Sequence, residues 1–209
     1  MAVTATRSRR APRATPAAPT TPYRVAVFPS AIGWISAVLS GTPTRPCIHQ
    51  LSMGHDSPTA ARRALDPRLT RDAPTSAGDD FLHQAIEQYL SGRPARLNQI
   101  PYAPFAGSPF ARRVLEACRR IPYGQTRSYA QLAAAAGSPG AARAVGRVMA
   151  GNRVPLVIPC HRVVGSAGKL GGFSAPGGLE TKQRLLDLEA RCRPRGDGSS
   201  QPLASTRHL

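Results

Sequence analysis

SYAQLAAAAGSPGAARAVGRVMAGNRVPLVIPCHRVV, residues 128–164, holds two short helical patterns followed by an apolar run that proline interrupts twice. Ser128 and Gln131 form a capping box opening SYAQLAAAAG, and Gly137 is its C-terminal stop. Ser138 and Pro139 open a second helix, GAARAVGRVMAG. Two short helices joined by a glycine-containing turn are a helix-turn-helix, and the second carries Arg143 and Arg147 among small residues. Such hairpins also occur in proteins that never touch DNA. The run GNRVPLVIPCHRVVG has the Val- and Ile-rich composition of a buried strand, broken at Pro155 and Pro159.

Upstream, Ser108 and Pro109 occupy N-cap and first-turn positions, and Phe110, Val114, Leu115, Cys118 and Ile121 form one apolar stripe that Pro122 ends. Downstream, the glycine-rich loop GSAGKLGGFSAPGG leads into a last helix, LETKQRLLDLEA. The first half reads differently. YRVAVFPSAIGWISAVLS, from Tyr23 to Ser40, is rich in β-branched and aromatic residues and interrupted by Pro29 and Gly33, which predicts a hairpin of two strands. Residues 41–78 are weakly patterned. Asp79 or Asp80 then caps a helix in DDFLHQAIEQYLSG, where Phe81, Leu82, Ala85, Ile86, Tyr89 and Leu90 recur at helical spacing and Gly92 ends it. The fold class is therefore α+β: a small N-terminal α+β domain over 23–104 and a mostly helical C-terminal domain over 105–192. The flanking segments, 1–22 and 193–209, have too few large apolar side chains to offset the entropy of ordering and read as a disordered arm and tail.

The 209 residues carry 28 Lys and Arg against 11 Asp and Glu, a formal charge of +17. That charge is unevenly placed, +2 over 23–106 and +8 over 107–190. A near-neutral first half and a basic second half point to a polyanion bound mainly by the second. All the basic residues except Lys169 and Lys182 are Arg, which a GC-rich coding sequence would also produce, so charge alone supports nucleic acid only modestly. No apolar run approaches the roughly 18 residues of a membrane-spanning helix. Cys47, Cys118, Cys160 and Cys192 are too few for a disulfide scaffold, and none forms a Cys-x-x-Cys pair, so free thiols in a reducing compartment are expected.

Cys160 lies between Pro159 and His161, where the chain must turn. With an imidazole beside it, a guanidinium at Arg162 and a helix pair upstream, its setting is the electropositive kind that lowers a thiol's pKa. The other three cysteines read as small hydrophobes or exposed thiols, and Cys118 as core. Glu189 follows Leu185 and Leu186 by four and three positions, which turns it to the apolar side of the last helix. A carboxylate there needs a partner. His161 would supply one, giving a nucleophile, a base and an orienting acid; a frayed helix end with a solvated Glu189 fits the spacing equally well.

The segment from Ser128 to Glu189, with Pro-Cys-His-Arg-Val at its centre, closely resembles the O6-alkylguanine-DNA alkyltransferases, also called methylated-DNA protein-cysteine methyltransferases. The resemblance is strong over Phe105–Ala190 and faint over Tyr23–Ala103. It implies a ribonuclease H-like N-terminal domain and a winged-helix-like C-terminal one. It also implies a single, irreversible transfer of a methyl or alkyl group from guanine O6, and from thymine O4, to Cys160. In that resemblance His161 is the base, Glu189 its orienting acid, and Tyr129 the residue that helps rotate the nucleotide and protonates the departing guanine. Arg143 is the finger that replaces the flipped base, and Asn152 the hinge between the DNA-binding helix and the cysteine loop. Ala141, Ala142, Ala144 and Gly146 allow close approach to the minor groove, where little sequence is legible, as suits an enzyme inspecting any guanine. Ser174, Phe173, Gly171 and Val163 would line the base pocket. The implied partner is double-stranded DNA containing alkylated guanine, met by a cytoplasmic bacterial monomer without a membrane.

Phe173 stands where the family commonly has tyrosine, and SAPGG is longer than the usual loop. No cofactor is expected, and no zinc, since Cys47, His49 and His55 do not form a recognised ligand pattern. Two other readings compete. One is a damage-binding protein or DNA-binding regulator that transfers nothing, against which Cys160 argues. The other is a cysteine hydrolase using Cys160, His161 and Glu189, which would turn over repeatedly without DNA.

Overall fold

A computed structural model describes residues 23–76, 80–93 and 95–192. The arm expected over 1–22, the tail over 193–209 and a cap at Asp79 lie outside the described residues.

The predicted hairpin is present as β1 (Arg24–Phe28) and β2 (Trp34–Thr42), antiparallel, with Ala26 opposite Ala37. Its turn needs a glycine: Gly33 has φ +98°, and a Cβ there would press on the backbone of His55. The weakly patterned stretch contains a third strand, β3 (Arg45–His55), then helices α1 (Pro58–Arg63) and α2 (Pro67–Thr70) and a short strand β4 (Thr75–Ser76). The sheet runs β3-β2-β1-β4, with β4 parallel to β1. Alternation assigns its faces. Val25, Val27 and Val38 pack with Ala61 and Leu65 of the α1 region, whereas Ala26, Phe28, Ile35, Ala37 and Leu39 face the main core. Helix α3 (Asp80–Leu90) buries Leu82, Ile86 and Tyr89 in that core. Phe81, expected on the same stripe, is instead 45% exposed: it precedes Leu82 by one position and so falls off the buried face.

Beyond Pro101 the chain is helical: α4 (Pro109–Arg119), α5 (Tyr129–Ala135), α6 (Ala142–Ala150) and α7 (Gly178–Arg191). The caps behave as their chemistry dictates. Ser108 accepts from the Ala111 amide at 3.1 Å, and Ser128 and Gln131 complete their capping box. Gly137, at φ +71°, ends α5, with its amide on Ala134 and that of Ser138 on Ala133. Ser138 and Pro139 do not open the next helix. They form a turn in which the Ala141 amide reaches the Ser138 carbonyl, and α6 begins at Ala142.

The apolar run after α6 also departs from expectation. Only Val163–Val164 (β6) is strand, pairing in parallel with Arg127–Ser128 (β5). Val154, Leu156, Val157 and Ile158 are buried in turns, and Leu156 sits at φ +69°. Pro155 and Pro159 lack the amides a ladder requires. Asn152 takes over, accepting from the Val154 amide at 3.1 Å and donating to the Ile158 carbonyl at 2.8 Å. The β3 edge is closed by later chain: its Ile48 amide donates to Pro101, ahead of α4, and its Leu51 amide to Arg153 of the second half. One apolar core runs from the sheet through α3 to α4, α5 and α6. No described helix is long and apolar enough to cross a membrane.

Candidate active site

Cys160, His161 and Arg162 form one turn of 3-10 helix after Pro159. Cys160 is 8% exposed and reaches a cleft of about 320 Å³ whose walls include Asn152, Pro155, Phe173, Ser174 and Ala175. The far wall is the β3 segment Gln50–Met53. Phe173 and Ser174 thus stand in the cleft. Val163 and Gly171 do not: Val163 is wholly buried behind it, and Gly171 lies against the hydroxyl end of Tyr129, where any side chain would collide.

Glu189 is on the buried face of α7, and the solvated alternative is excluded by its 1% exposure. Its Oε1 accepts from His161 Nε2 at 2.8 Å, Arg162 Nη2 at 2.8 Å and the Tyr89 hydroxyl at 2.6 Å. Its Oε2 accepts from the Gly124 amide at 2.9 Å, and Arg162 Nε lies 3.0 Å from both oxygens. Burial pushes this carboxyl up, but the hydrogen bonds from His161 and Arg162 and the Arg162 charge outweigh it and hold the group at about 2. Glu189 is therefore ionised and accepts only, so Nε2 of His161 carries a proton. Burial pushes the imidazole pKa down despite the carboxylate, leaving a neutral ring. Its Nδ1 is buried without a partner among the described residues, a free lone pair on the side away from Glu189.

The expected electropositive setting of Cys160 needs correction. Arg162 is committed to Glu189 and to the Ile121 carbonyl, 2.7 Å from its Nη1, and burial pushes the Cys160 thiol up. What opposes burial is a hydrogen bond from Asn152, the positive charge of Lys182 and the amides of Cys160 and His161 at the start of the 3-10 turn. Lys182 was not singled out by sequence. It is completely buried, one turn before Leu185 on the α7 face that also carries Glu189, and Nζ donates to the Val163 carbonyl at 2.6 Å. Lys182→Met should therefore move ionisation of Cys160 to higher pH. The pH dependence of iodoacetamide labelling, followed by peptide mass at Cys160, reads this directly; an unmoved curve would contradict the electrostatic role.

Tyr129 opens α5 half-buried, its ring between Gly146 of α6 and Gly171 of the loop. Burial and the Cys160 sulfur both raise its pKa, so the hydroxyl stays protonated at neutral pH. Arg143 is exposed on α6, while Val145 and Met149 anchor the opposite face. Ala141, Ala142, Ala144 and Gly146 are partly exposed around it. Several other arginines serve the fold: Arg113 donates to Ala136, and Arg119 to Ile100. The net charge therefore overstates the basic surface. His49 and His55 bond to Ser40 and Ser52, and among the described residues no group of three His, Cys, Asp or Glu could hold a metal ion.

Comparison with known proteins bears on this arrangement. The family model described as the 6-O-methylguanine DNA methyltransferase DNA-binding domain matches residues 109–191. The methylated-DNA–protein-cysteine methyltransferase of Mycolicibacterium paratuberculosis is 54% identical over 88 residues, 42% of this chain and 52% of that protein. Its counterpart in Methanosarcina acetivorans is 38% identical over 117 residues, 54% of this chain and 72% of the relative. The chain spans about half the length of the curated mycobacterial relatives it matches. The crystal structure of Mycobacterium tuberculosis OGT in complex with DNA has a TM-score of 0.65 at 31% identity, covering 82% of this chain and 96% of that one. That of the Mycobacterium tuberculosis O6-methylguanine methyltransferase has a TM-score of 0.67 at 30% identity, covering 83% and 96%.

Proposed function

Because the chain belongs to the methylated-DNA–protein-cysteine methyltransferase family, we propose that it repairs DNA by moving an alkyl group from guanine O6 to its own Cys160. The observation that carries this reading is a cysteine at the base of a cleft, followed by a histidine whose only unpartnered nitrogen is Nδ1 and whose other nitrogen is fixed by Glu189.

In the reaction, the thiol proton passes to His161 Nδ1, directly or through water. The thiolate then attacks the alkyl carbon; the S–C bond forms as the C–O6 bond breaks, and the bond's electron pair leaves with guanine. Tyr129, protonated at neutral pH, donates a proton to the departing base. The thioether has no route back to thiol, so each molecule acts once. Thymine O4 is a second substrate of the same chemistry. Asn152 holds the Cys160 loop to the end of α6, so a helix seated on DNA and the nucleophile move as one unit.

Double-stranded DNA is the partner, bound by α6 in the minor groove, with Arg143 filling the place of the extruded base. The relative solved in complex with DNA supports this assignment. We also assign residues 23–104 and 105–192 to two domains. The sheet order β3-β2-β1-β4, with β4 parallel to β1, supports a ribonuclease H-like description of the first, and the α5–α6 pair flanked by β5 and β6 a winged-helix-like description of the second.

The test is a duplex carrying a labelled methyl on guanine O6. One equivalent of label should appear on the Cys160 peptide and then stop; repeated turnover, or no label, would refute transfer. Arg143→Ala should slow transfer from duplex about tenfold or more, since extruding a base costs a few kcal/mol and the finger offsets part of that cost. Transfer from free O6-methylguanine should be unaffected, and equal losses on both substrates would remove the finger role.

A further inference from the structure

We propose that Tyr89, supplied by the first half of the chain, is a positioning residue of the transfer reaction, setting the basicity of His161 through the carboxylate oxygen the two share. The proposal rests on the alkyl-transfer reading above and gives the N-terminal half a working role beyond support.

The geometry is specific. Tyr89 is a completely buried side chain on the core face of α3, a hundred residues from Glu189 in sequence. Its hydroxyl donates to Glu189 Oε1 at 2.6 Å, within the range of strong, charge-assisted O–H···O⁻ bonds. The same hydroxyl oxygen lies 3.2 Å from His161 Nε2. Tyr89 and His161 therefore meet at one oxygen, which Arg162 also contacts. The ring is held independently of the hydroxyl, edge-on to Tyr123 with centroids 5.7 Å apart and to His161 at 6.4 Å.

A carboxylate oxygen has about two lone-pair directions, so donors crowded on Oε1 share its charge. The share taken by Tyr89 is charge unavailable to the imidazole N–H, and a weaker pull at Nε2 makes Nδ1 a weaker base. The other groups facing this assembly are Lys182 of α7, Cys160 and Arg162 of the 3-10 turn, Cys118 of α4 near Cys160, and Tyr123 beside Arg162. Lys182 and Arg162 both oppose a positive imidazole, and Glu189 alone favours it. Tyr89 acts on that single favourable partner, which is why loss of one uncharged hydroxyl should reach the histidine.

Tyr89→Phe keeps the ring and its packing while deleting the hydroxyl. In the full-length variant, the acid limb of the transfer-rate profile on methylated duplex should move up by about half a pH unit or more, because His161 becomes easier to protonate. Duplex affinity should be unchanged, since the hydroxyl is buried away from the α6 surface. The histidine titration is read separately, from the ring nitrogens of His161 by NMR in wild type and variant. A wild-type protein that transfers, beside a variant with the same profile and the same His161 titration, overturns the role of Tyr89 and leaves alkyl transfer standing. If wild type transfers nothing, the functional reading falls, and the NMR titration still decides whether Tyr89 sets His161.

Discussion

Glu189→Ala is expected to lower stability by about 3–5 kcal/mol, the typical cost of removing one partner from a buried ionic cluster. The loss is large because the donors stay behind. The Tyr89 hydroxyl, the His161 N–H, the Arg162 guanidinium and the Gly124 amide all end on this carboxylate, and no described acceptor replaces it. A guanidinium buried without its counter-charge is the costliest of them. In a chain of this size the change should lower the melting temperature by roughly 10 °C. Glu189→Gln keeps one acceptor oxygen and should cost less.

Acid should reproduce part of that effect in the wild type. Glu189 is held at about 2, below its unfolded value near 4.3, so its contribution is complete above pH ~4.3 and is lost as pH falls toward 2. By linkage it amounts to about 3 kcal/mol at neutral pH. His161 has the same sign in a higher window. Its pKa is depressed by burial, so below pH ~6.5 the unfolded chain takes a proton that the folded one refuses. Urea unfolding across pH should show stability declining from pH ~6.5 downward, with the lower part of the decline flattened in Glu189→Gln. A wild-type curve level from pH 7 to 3 would contradict the buried cluster.

What the sequence made legible was what local chemistry controls. Ser108, the Ser128–Gln131 box and Gly137 bond to backbone within a few residues of themselves, so their helix ends could be read directly. β3 could not, because its pairing is non-local and its polar side chains are satisfied at a distance: His49 by Ser40, and Gln50 by the Asp66 amide. The 153–158 run misled because apolar composition cannot separate a buried strand from a buried turn whose backbone a side chain satisfies. Within the site, Glu189 was visible as a carboxylate at a core phase of its helix, and Lys182 carries the same signal seven positions earlier. Tyr89 was invisible in principle. On the α3 stripe it reads as a core aromatic, and only the tertiary meeting of α3 with α7 turns its hydroxyl into a partner of Glu189.

Cys160→Ala is the substitution with the largest expected effect on function: no label transferred from methylated duplex, with duplex affinity unchanged. The two halves of that result have separate structural causes. Transfer requires the sulfur itself, because the serine hydroxyls on the cleft wall, Ser52 and Ser174, are far weaker nucleophiles than a thiolate, even with Ser52 bonded to His55 at 2.7 Å. Binding is assigned to the outward face of α6, and the thiol lies beneath it, joined through Asn152 rather than through any exposed residue. Alanine removes one buried atom and leaves the Asn152 bonds to Val154 and Ile158 in place, so the α6 surface should keep its shape. The variant should then hold methylated duplex longer than wild type does, because the lesion is never consumed. Gel-shift titration beside the labelling assay reads both halves. Label appearing on Cys47 or Cys192 would place the acceptor elsewhere, and affinity lost together with transfer would mean that the cysteine loop, not α6 alone, forms the DNA-binding surface.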